Sequence, residues 1–266
     1  LGVITAVVLK LFPKPQERLS ALVAVASARD ASNFLSRCQW ACGENISSFE
    51  YIHRNCLELV FEKIPGSRDP LDEVYGHYVL LELGSSTPGT DLRAVLETLL
   101  EEAFAAEEVE NATIAATIEQ SNALWKLRED IPEATRITGT RIGHDVAVPV
   151  ALIADFLERG SAIVERMHPS ARLIPFGHMG DGNIHFNMVA VDDAHGASFL
   201  EPESEIRRAI YDLVHEMGGS FSAEHGIGGL KKSDLVAYRS PVELDLMRTL
   251  KHALDPKNIL NPGKVL

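Results

Sequence analysis

The chain has 266 residues, of which 45% are hydrophobic and 24% are charged, which is enough to bury a sizeable core as one large domain or two closely packed halves. Asp and Glu number 38 against 25 Lys and Arg, so the formal net charge is −13. This balance argues against a nucleic-acid partner, because phosphate binding needs a basic surface, and no apolar run reaches the length of a membrane span.

Strands and helices alternate along the chain without a glycine-rich phosphate loop. In chain order, the patterns predict a strand at 20–26, a helix at 30–41, a strand at 47–52, a helix ending at 63, a strand at 75–83, a helix at 91–106, a strand at 109–115, a helix at 118–135 broken or kinked at Pro132, a strand at 145–148, a helix at 150–165, the hairpin described below, a helix at 204–216, a strand at 220–223 and a helix at 241–254. Hairpins mixed with crossovers favour an α+β fold with a large, mainly antiparallel sheet and helices packed on it.

The three cysteines are too few for a disulfide framework. Cys38 and Cys42 lie one helical turn apart, and Cys56 falls in the next predicted helix. Free cysteines usually behave as small buried apolar residues, so we predict burial rather than a redox pair.

The stretch 175–187, PFGHMGDGNIHFN, is the most informative part of the chain. An Asp-Gly pair between apolar runs is a strong signal for a two-residue hairpin turn. A tip at Asp181-Gly182 predicts that His178 lies directly opposite His185 on one face of the hairpin. Opposed residues have Cβ atoms about 4.5–5.5 Å apart, which allows two imidazoles to bind one metal ion. A catalytic site then needs a third ligand and an open position.

A candidate third ligand lies in SAEHGIGG, residues 222–229. Glu224 and His225 follow a short predicted strand and precede a glycine-rich turn, and loops on a rigid base commonly hold chemical groups. Glu224 offers a hard oxygen ligand, whereas His225 is predicted to be an adjacent base that does not bind the metal. Two His and one carboxylate suit Zn²⁺, which we favour, with Mn²⁺ or Fe²⁺ as alternatives. The other interpretation is that the two hairpin histidines are a structural pair on a half-buried sheet.

Three motifs together, HMGDGNIHFN, SAEHGIGGLKK and LDPKNILNPGKVL, resemble the C-terminal part of the FAD-linked oxidases, a family that includes D-lactate dehydrogenase, D-2-hydroxyglutarate dehydrogenase and the glycolate oxidase flavoprotein subunit. The opening LGVITAVVLKLFPKP resembles the last strand of that family's FAD-binding domain and the exit from it. The resemblance implies that residues 1–15 are a remnant of that domain and linker, and that residues 16–266 are a substrate domain. The main FAD-binding domain is expected to lie outside this chain.

The resemblance also implies that Arg128 binds the substrate carboxylate, for which a guanidinium fork is well suited. On its residues alone, Arg128 is better explained as a solvated helix arginine paired with Glu129 or Glu133. Strand alternation places Phe176 and Asn187 on the histidine face, where Asn187 is predicted to hydrogen-bond a hydroxy acid. A polar strand residue facing water is the alternative for Asn187.

In the family, the C-terminal tail folds back towards the flavin, so Asn261 and Lys264 are expected to approach the cofactor; an ordinary C-terminal turn is the alternative. Two positions depart from the relatives that act on a five-carbon dicarboxylate. Gly143 stands where those relatives have a lysine, and Pro132 stands where they have a threonine. Arg141 or His144 are possible substitutes, but alternation places only Arg141 on the face of Gly143.

The expected activity is FAD-dependent oxidation of a small D-2-hydroxy acid to a 2-oxo acid, with His225 as the general base. Electrons would pass to a quinone, an electron-transfer flavoprotein or an Fe–S partner. Two alternatives are a non-catalytic metal- and substrate-binding domain when the chain is isolated, and a metal-dependent hydrolase. A homodimer is possible. The expected location is the cytoplasm, as in bacteria, with the mitochondrion as the alternative.

Overall fold

The computed structural model describes residues 4–191 and 196–266, except for the side chains of residues 196 and 197. The chain divides into two compact units, Lys14–Phe221 and a smaller one formed by the N-terminal residues up to Pro13 together with Ser222–Leu266. Within the described residues, every helix is too short or too polar to cross a membrane.

The larger unit is built on one eight-stranded sheet with antiparallel pairings throughout the described strands. Its strands are β1 (Glu17–Val25), β2 (Ile46–His53), β3 (His77–Ser85), β4 (Asn111–Ile114), β5 (Arg141–Ile142), β6 (Asp145–Ala147), β7 (Ala171–His178) and β8 (Asn183–Ala190). The order across the sheet is β4-β1-β3-β2-β7-β8, and both β5 and β6 pair with β8. The predicted α+β fold with a large antiparallel sheet is confirmed.

Helices of the larger unit pack on the sheet, and several of them begin at a side-chain cap. In the larger unit they are α1 (Ala28–Cys42), α2 (Arg54–Lys63), α3 (Leu92–Ala105), α4 (Ile118–Glu129), α5 (Ile131–Thr138), α6 (Ile153–Met167), α7 (Gly196–Phe199) and α8 (Glu203–Glu216). The smaller unit contains α9 (Lys232–Tyr238) and α10 (Pro241–Leu254). The side chains of Ser27, Asp91 and Thr117 cap α1, α3 and α4. Pro132 separates α4 from α5 as predicted, because proline is tolerated in the first turn of a helix but not in its interior.

The two faces of the sheet are both covered. Helices α1, α3 and α6 pack on one face, and α2, α4 and α5 pack on the other. The second face holds an apolar cluster formed by strand residues and helix residues, among them Leu22, Ile52, Leu80, Ile174, Leu57, Leu127 and Ile131. Cys38, Cys42 and Cys56 are free and buried, as predicted.

One prediction for a strand was wrong. The predicted strand at 220–223 is an isolated bridge between Ser220 and Ala147, because the chain leaves the edge of the sheet directly after Ser220. Residues 4–15 form neither a helix nor a strand, although the opening sequence resembles a family strand. A strand needs a hydrogen-bonding neighbour, and none of the described strands pairs with this segment. The proposed boundary at residue 15 stays a prediction.

Candidate functional site in the larger unit

A diagonal row of polar side chains crosses the sheet face that α4 covers. The row consists of one residue from each of six strands, namely Ser20, Glu82, Glu50, His178, His185 and Asp145. Most of these side chains are buried, and buried polar groups require hydrogen-bonding partners. We call this set the polar row.

The β7–β8 hairpin places both predicted metal-ligand histidines in the polar row, but its register differs from the predicted one. The connection is a 3-10 turn followed by Gly182 in the left-handed region, so the loop is longer than two residues. His185 therefore lies opposite Phe176 rather than His178. The register differs from the predicted one by two residues, so both histidines stay on the same face of the hairpin. The imidazole centroids of His178 and His185 are 6.1 Å apart. The prediction of a shared face is confirmed; the prediction of direct opposition is wrong.

A buried carboxylate lies behind His178. Glu50 on β2 is opposite His178 in the sheet, and its Oε1 is 2.6 Å from Nδ1 of His178. The contact directs Nε2, the other ring nitrogen, away from Glu50. Histidines that bind metals usually donate their second N–H to a carboxylate in this way.

His185 has a similar neighbour on β6. Its Nδ1 is 3.6 Å from Oδ1 of Asp145, which is opposite it in the sheet and accepts a 2.9 Å hydrogen bond from Nδ2 of Asn183. Neither carboxylate was predicted from the sequence as part of a site. The available signal was an acidic residue at an inward position of a mostly apolar strand: Glu50 in SSFEYI and Asp145 in DVAV.

Arg128 lies on α4 and is buried rather than solvated. Its Nε donates a 3.0 Å hydrogen bond to Oε2 of Glu50, and its guanidinium carbon lies 4.5 Å from the ring centroid of Phe176. The suggested pairing of Arg128 with Glu133 is wrong, because Glu133 accepts from Arg136 on α5 instead. Glu50 therefore contacts both the candidate substrate-binding arginine and a candidate metal ligand.

Asn187 is half-buried on the histidine face, two residues beyond His185. Its Oδ1 accepts a 3.2 Å hydrogen bond from the backbone N–H of His144. A Cβ atom added at Gly143 would lie 3.1 Å from the same oxygen, so the glycine permits this close approach. The His144 ring is buried on the opposite face, against Phe186 and Tyr211, as alternation predicted.

Candidate residues in the smaller unit

Glu224 and His225 are exposed and lie in a turn of the smaller unit. The Ser222 hydroxyl donates a 2.7 Å hydrogen bond to the carbonyl oxygen of Gly226 and accepts one from Nζ of Lys231. These contacts hold the ends of the turn, so its tip presents Glu224 and His225.

The C-terminal tail folds onto the same segment. The backbone N–H of Val265 donates to the carbonyl oxygen of Gly228, and Nζ of Lys232 donates to that of Leu266. The nearest atoms to a Cβ added at Gly229 would belong to the Lys264 side chain, with Nζ at 3.0 Å. The tail therefore brings Lys264 beside the glycine-rich turn within this unit.

Asp255 stabilises the turn that precedes Asn261. Its carboxylate accepts hydrogen bonds from the backbone N–H groups of Ile259 and Leu260 and from Nζ of Lys251. The hydrogen bond from Lys251 contributes most to lowering the pKa of Asp255 to about 2, and the two backbone groups add to it. The turn ends at Asn261, which has a φ of 50°, a left-handed conformation that asparagine tolerates.

Comparison with known proteins identifies the family of the chain. The family described as FAD linked oxidases, C-terminal domain, matches residues 14–265. The chain belongs to this family. Curated relatives include D-2-hydroxyglutarate dehydrogenases from Arabidopsis thaliana mitochondria, 32% identical, and from Bos taurus mitochondria, 35% identical, each over 100% of this chain. A third, from Xanthomonas citri pv. viticola, is 34% identical over 83% of the chain.

The family member described here spans about half the length of these relatives, 46% and 47% of the first two. Solved structures with the same fold include p-cresol methylhydroxylase, with a TM-score of 0.67, and a 4-ethylphenol oxidase from Gulosibacter chungangensis, with a TM-score of 0.62. Both are 13% identical, covering 95% and 96% of this chain and 53% and 55% of theirs, respectively. At this identity they establish the fold alone.

Proposed function

We propose that this chain is the substrate-binding half of an FAD-dependent dehydrogenase that oxidises a D-2-hydroxy acid to a 2-oxo acid. The observation that supports this most directly is the Glu50 contact, since one buried carboxylate orients both His178 and Arg128 on one sheet face. Family membership and the relatives named D-2-hydroxyglutarate dehydrogenase support the same reaction.

His178, His185 and Glu224 are the proposed ligands of a divalent metal, with Zn²⁺ favoured over Mn²⁺ or Fe²⁺. The donor set suits these ions, and a carboxylate beside Nδ1 of each histidine is the environment that such ligands usually have. When bound, the ion would act as a Lewis acid on the substrate hydroxyl and carboxylate.

The remaining chemistry falls to side chains of this chain. The guanidinium of Arg128 binds the substrate carboxylate, and among the described residues its protein hydrogen bond is made through Nε alone, which leaves Nη1 and Nη2 for that role. Nδ2 of Asn187 donates to an oxygen of the hydroxy acid. A ring nitrogen of His225 accepts the proton of the C2 hydroxyl while the C2 hydride leaves. FAD, when bound, would take that hydride; Asn261 and Lys264 are proposed to approach it.

Gly143 and Pro132, which differ from the lysine and threonine of relatives that act on a five-carbon dicarboxylate, bear on the substrate class. Neither residue offers a side-chain donor for a distal carboxylate. Strand alternation places the exposed Arg141 on the face of Asn187, so we propose Arg141 as the group that would meet a distal carboxylate. If Arg141 does not contact a distal carboxylate, we expect the enzyme to prefer a D-2-hydroxy acid with a shorter or apolar tail.

The electron acceptor is proposed to be a quinone, an electron-transfer flavoprotein or an Fe–S partner. The relatives include mitochondrial and bacterial proteins, so the predicted cytoplasmic location and its mitochondrial alternative both stay open. A homodimer stays a prediction.

The first test is metal content by elemental mass spectrometry on protein purified without an affinity tag. About one zinc, manganese or iron per chain, lost when His178 and His185 are replaced with alanine, supports the site. No metal after reloading with Zn²⁺ would count against it.

The second test addresses His225 in the full-length flavoenzyme. Anaerobic flavin reduction by D-2-hydroxy acids should fall by roughly 100-fold or more in His225→Asn, since general bases contribute about that much. His252→Asn is the matched control, because it replaces another exposed histidine of the same unit. Unchanged reduction by His225→Asn would exclude His225 as the base.

A further inference from the structure

We propose that Glu50 is a positioning residue that sets the tautomer of His178 and orients Arg128. The inference rests on the proposed function for what those two side chains bind, whereas the contacts of Glu50 are independent of it. No catalytic step is assigned to Glu50 itself, because it reaches two other side chains rather than the substrate.

Both carboxylate oxygens of Glu50 are paired. Glu50 lies on a strand in the middle of the sheet and is only 4% exposed. Oε1 lies 2.6 Å from Nδ1 of His178, and Oε2 lies 3.0 Å from Nε of Arg128. Each oxygen thus has one nitrogen partner, which offsets the cost of burying a charged group.

The contact with Glu50 determines which ring nitrogen of His178 carries the hydrogen. An ionised carboxylate only accepts hydrogen bonds, so Nδ1 of His178 must carry the hydrogen in this contact. A neutral imidazole has a single ring N–H. Glu50 therefore selects the form in which Nε2 has the lone pair, which is the form able to bind a metal through Nε2.

The guanidinium plane of Arg128 is held by two contacts. Glu50 holds its Nε, and the guanidinium lies over the ring of Phe176. The ring of Phe176 is in turn 4.9 Å from that of His185, centroid to centroid. Two contacts on different sides of the guanidinium fix its plane, as bidentate binding of a carboxylate requires.

Glu82 provides a matched comparison within the polar row. It is also buried, at 7% exposed, and lies on the same sheet face of the adjacent strand. It likewise accepts from two donors, Nε1 of Trp125 at 3.0 Å and Nη1 of Arg18 at 3.4 Å. Neither donor is a histidine, so Glu82→Gln perturbs a similar buried carboxylate without touching the proposed ligands.

Glu50→Gln removes one of the two acceptors. An amide has a single acceptor oxygen, and the charged guanidinium of Arg128 is the stronger competitor for it. Nδ1 of His178 then faces an amide N–H, which favours the opposite tautomer, with the hydrogen on Nε2. Adding Arg128→Met releases the amide oxygen for His178, so the double variant should recover the original tautomer.

The experiment measures the tautomer of His178 by ¹⁵N–¹H NMR in metal-free protein at alkaline pH. Zn²⁺ affinity is measured in parallel by competition with a chromogenic chelator. Wild type and Glu82→Gln should show hydrogen on Nδ1 and equal affinity. Glu50→Gln should show hydrogen on Nε2 and bind Zn²⁺ about 10- to 100-fold more weakly. Glu50→Gln with Arg128→Met should regain both properties.

An unchanged tautomer in Glu50→Gln overturns the proposal, and so do equal effects of Glu50→Gln and Glu82→Gln. The wild-type spectrum tests the proposal even if Glu50→Gln does not fold. Hydrogen on Nε2 of His178 in the wild-type protein would contradict the proposed tautomer. If wild type binds no Zn²⁺ while Glu50→Gln alone changes the tautomer, the role of Glu50 stands and the proposed metal site fails.

Discussion

Acidification should destabilise the larger unit through His53. This residue ends β2, and its Nδ1 accepts a hydrogen bond from the backbone N–H of Asn55 in the first turn of α2. Burial, with a smaller contribution from His77, lowers the pKa of His53 from 6.5 to about 4 against an opposing effect of Glu58. Burial lowers the pKa of His77 as well.

The direction of the effect follows from proton binding by the two states. The unfolded chain protonates His53 near pH 6.5, whereas the folded protein does so near pH 4. Between these values the unfolded state binds more protons, so the free energy of unfolding decreases as the pH falls. The difference between 6.5 and about 4 corresponds to roughly 3 kcal/mol. That contribution is present in full above pH 6.5 and is lost as the pH falls to about 4.

The assay is urea unfolding at a series of pH values across this window, for wild type and His53→Asn. Asparagine keeps a side-chain acceptor at the start of α2 but does not titrate. Wild type should lose about 3 kcal/mol more than His53→Asn between pH 6.5 and 4. Parallel pH dependences of the two proteins would refute the reasoning.

Three further predictions concern the hairpin turn, the substrate and the thiols. Gly182→Ala should destabilise the protein by about 3 kcal/mol, because its Cβ would lie 2.1 Å from the carbonyl oxygen of Val148 at a φ of 86°. Gly180→Ala should change the free energy of unfolding by less than about 0.5 kcal/mol, because a Cβ at this position would meet open space. Equal effects of Gly182→Ala and Gly180→Ala in urea unfolding would contradict the assigned turn. In the full-length flavoenzyme, Arg141→Met should lower kcat/KM for D-2-hydroxyglutarate roughly tenfold and spare D-lactate; an equal loss for both substrates would exclude the proposed role. Burial raises the pKa of the Cys56 thiol, so mass spectrometry should find it unmodified by a thiol reagent in native buffer, and rapid native labelling would show that the core opens there.

The sequence alone determined most of the described helices and strands and the shared face of the hairpin residues. Helical caps and periodicity depend on residues three or four apart in the sequence. For this reason both ends of α10 and the break in the helix at Pro132 were predicted as they are observed. Strand alternation has a period of two, so a two-residue error in the turn left His178 and His185 on one face.

Only the tertiary structure decided what surrounds those side chains. Arg128 and Glu50 are 78 residues apart in sequence, and Glu50 and His178 are 128 apart, so no local pattern relates them. They meet because β2 pairs with β7 and α4 packs over the same face. Burial then makes the pairing necessary, since a lone carboxylate or guanidinium there would be too costly. Residue type therefore indicated the candidate chemistry, whereas strand order and helix packing determined which charges pair.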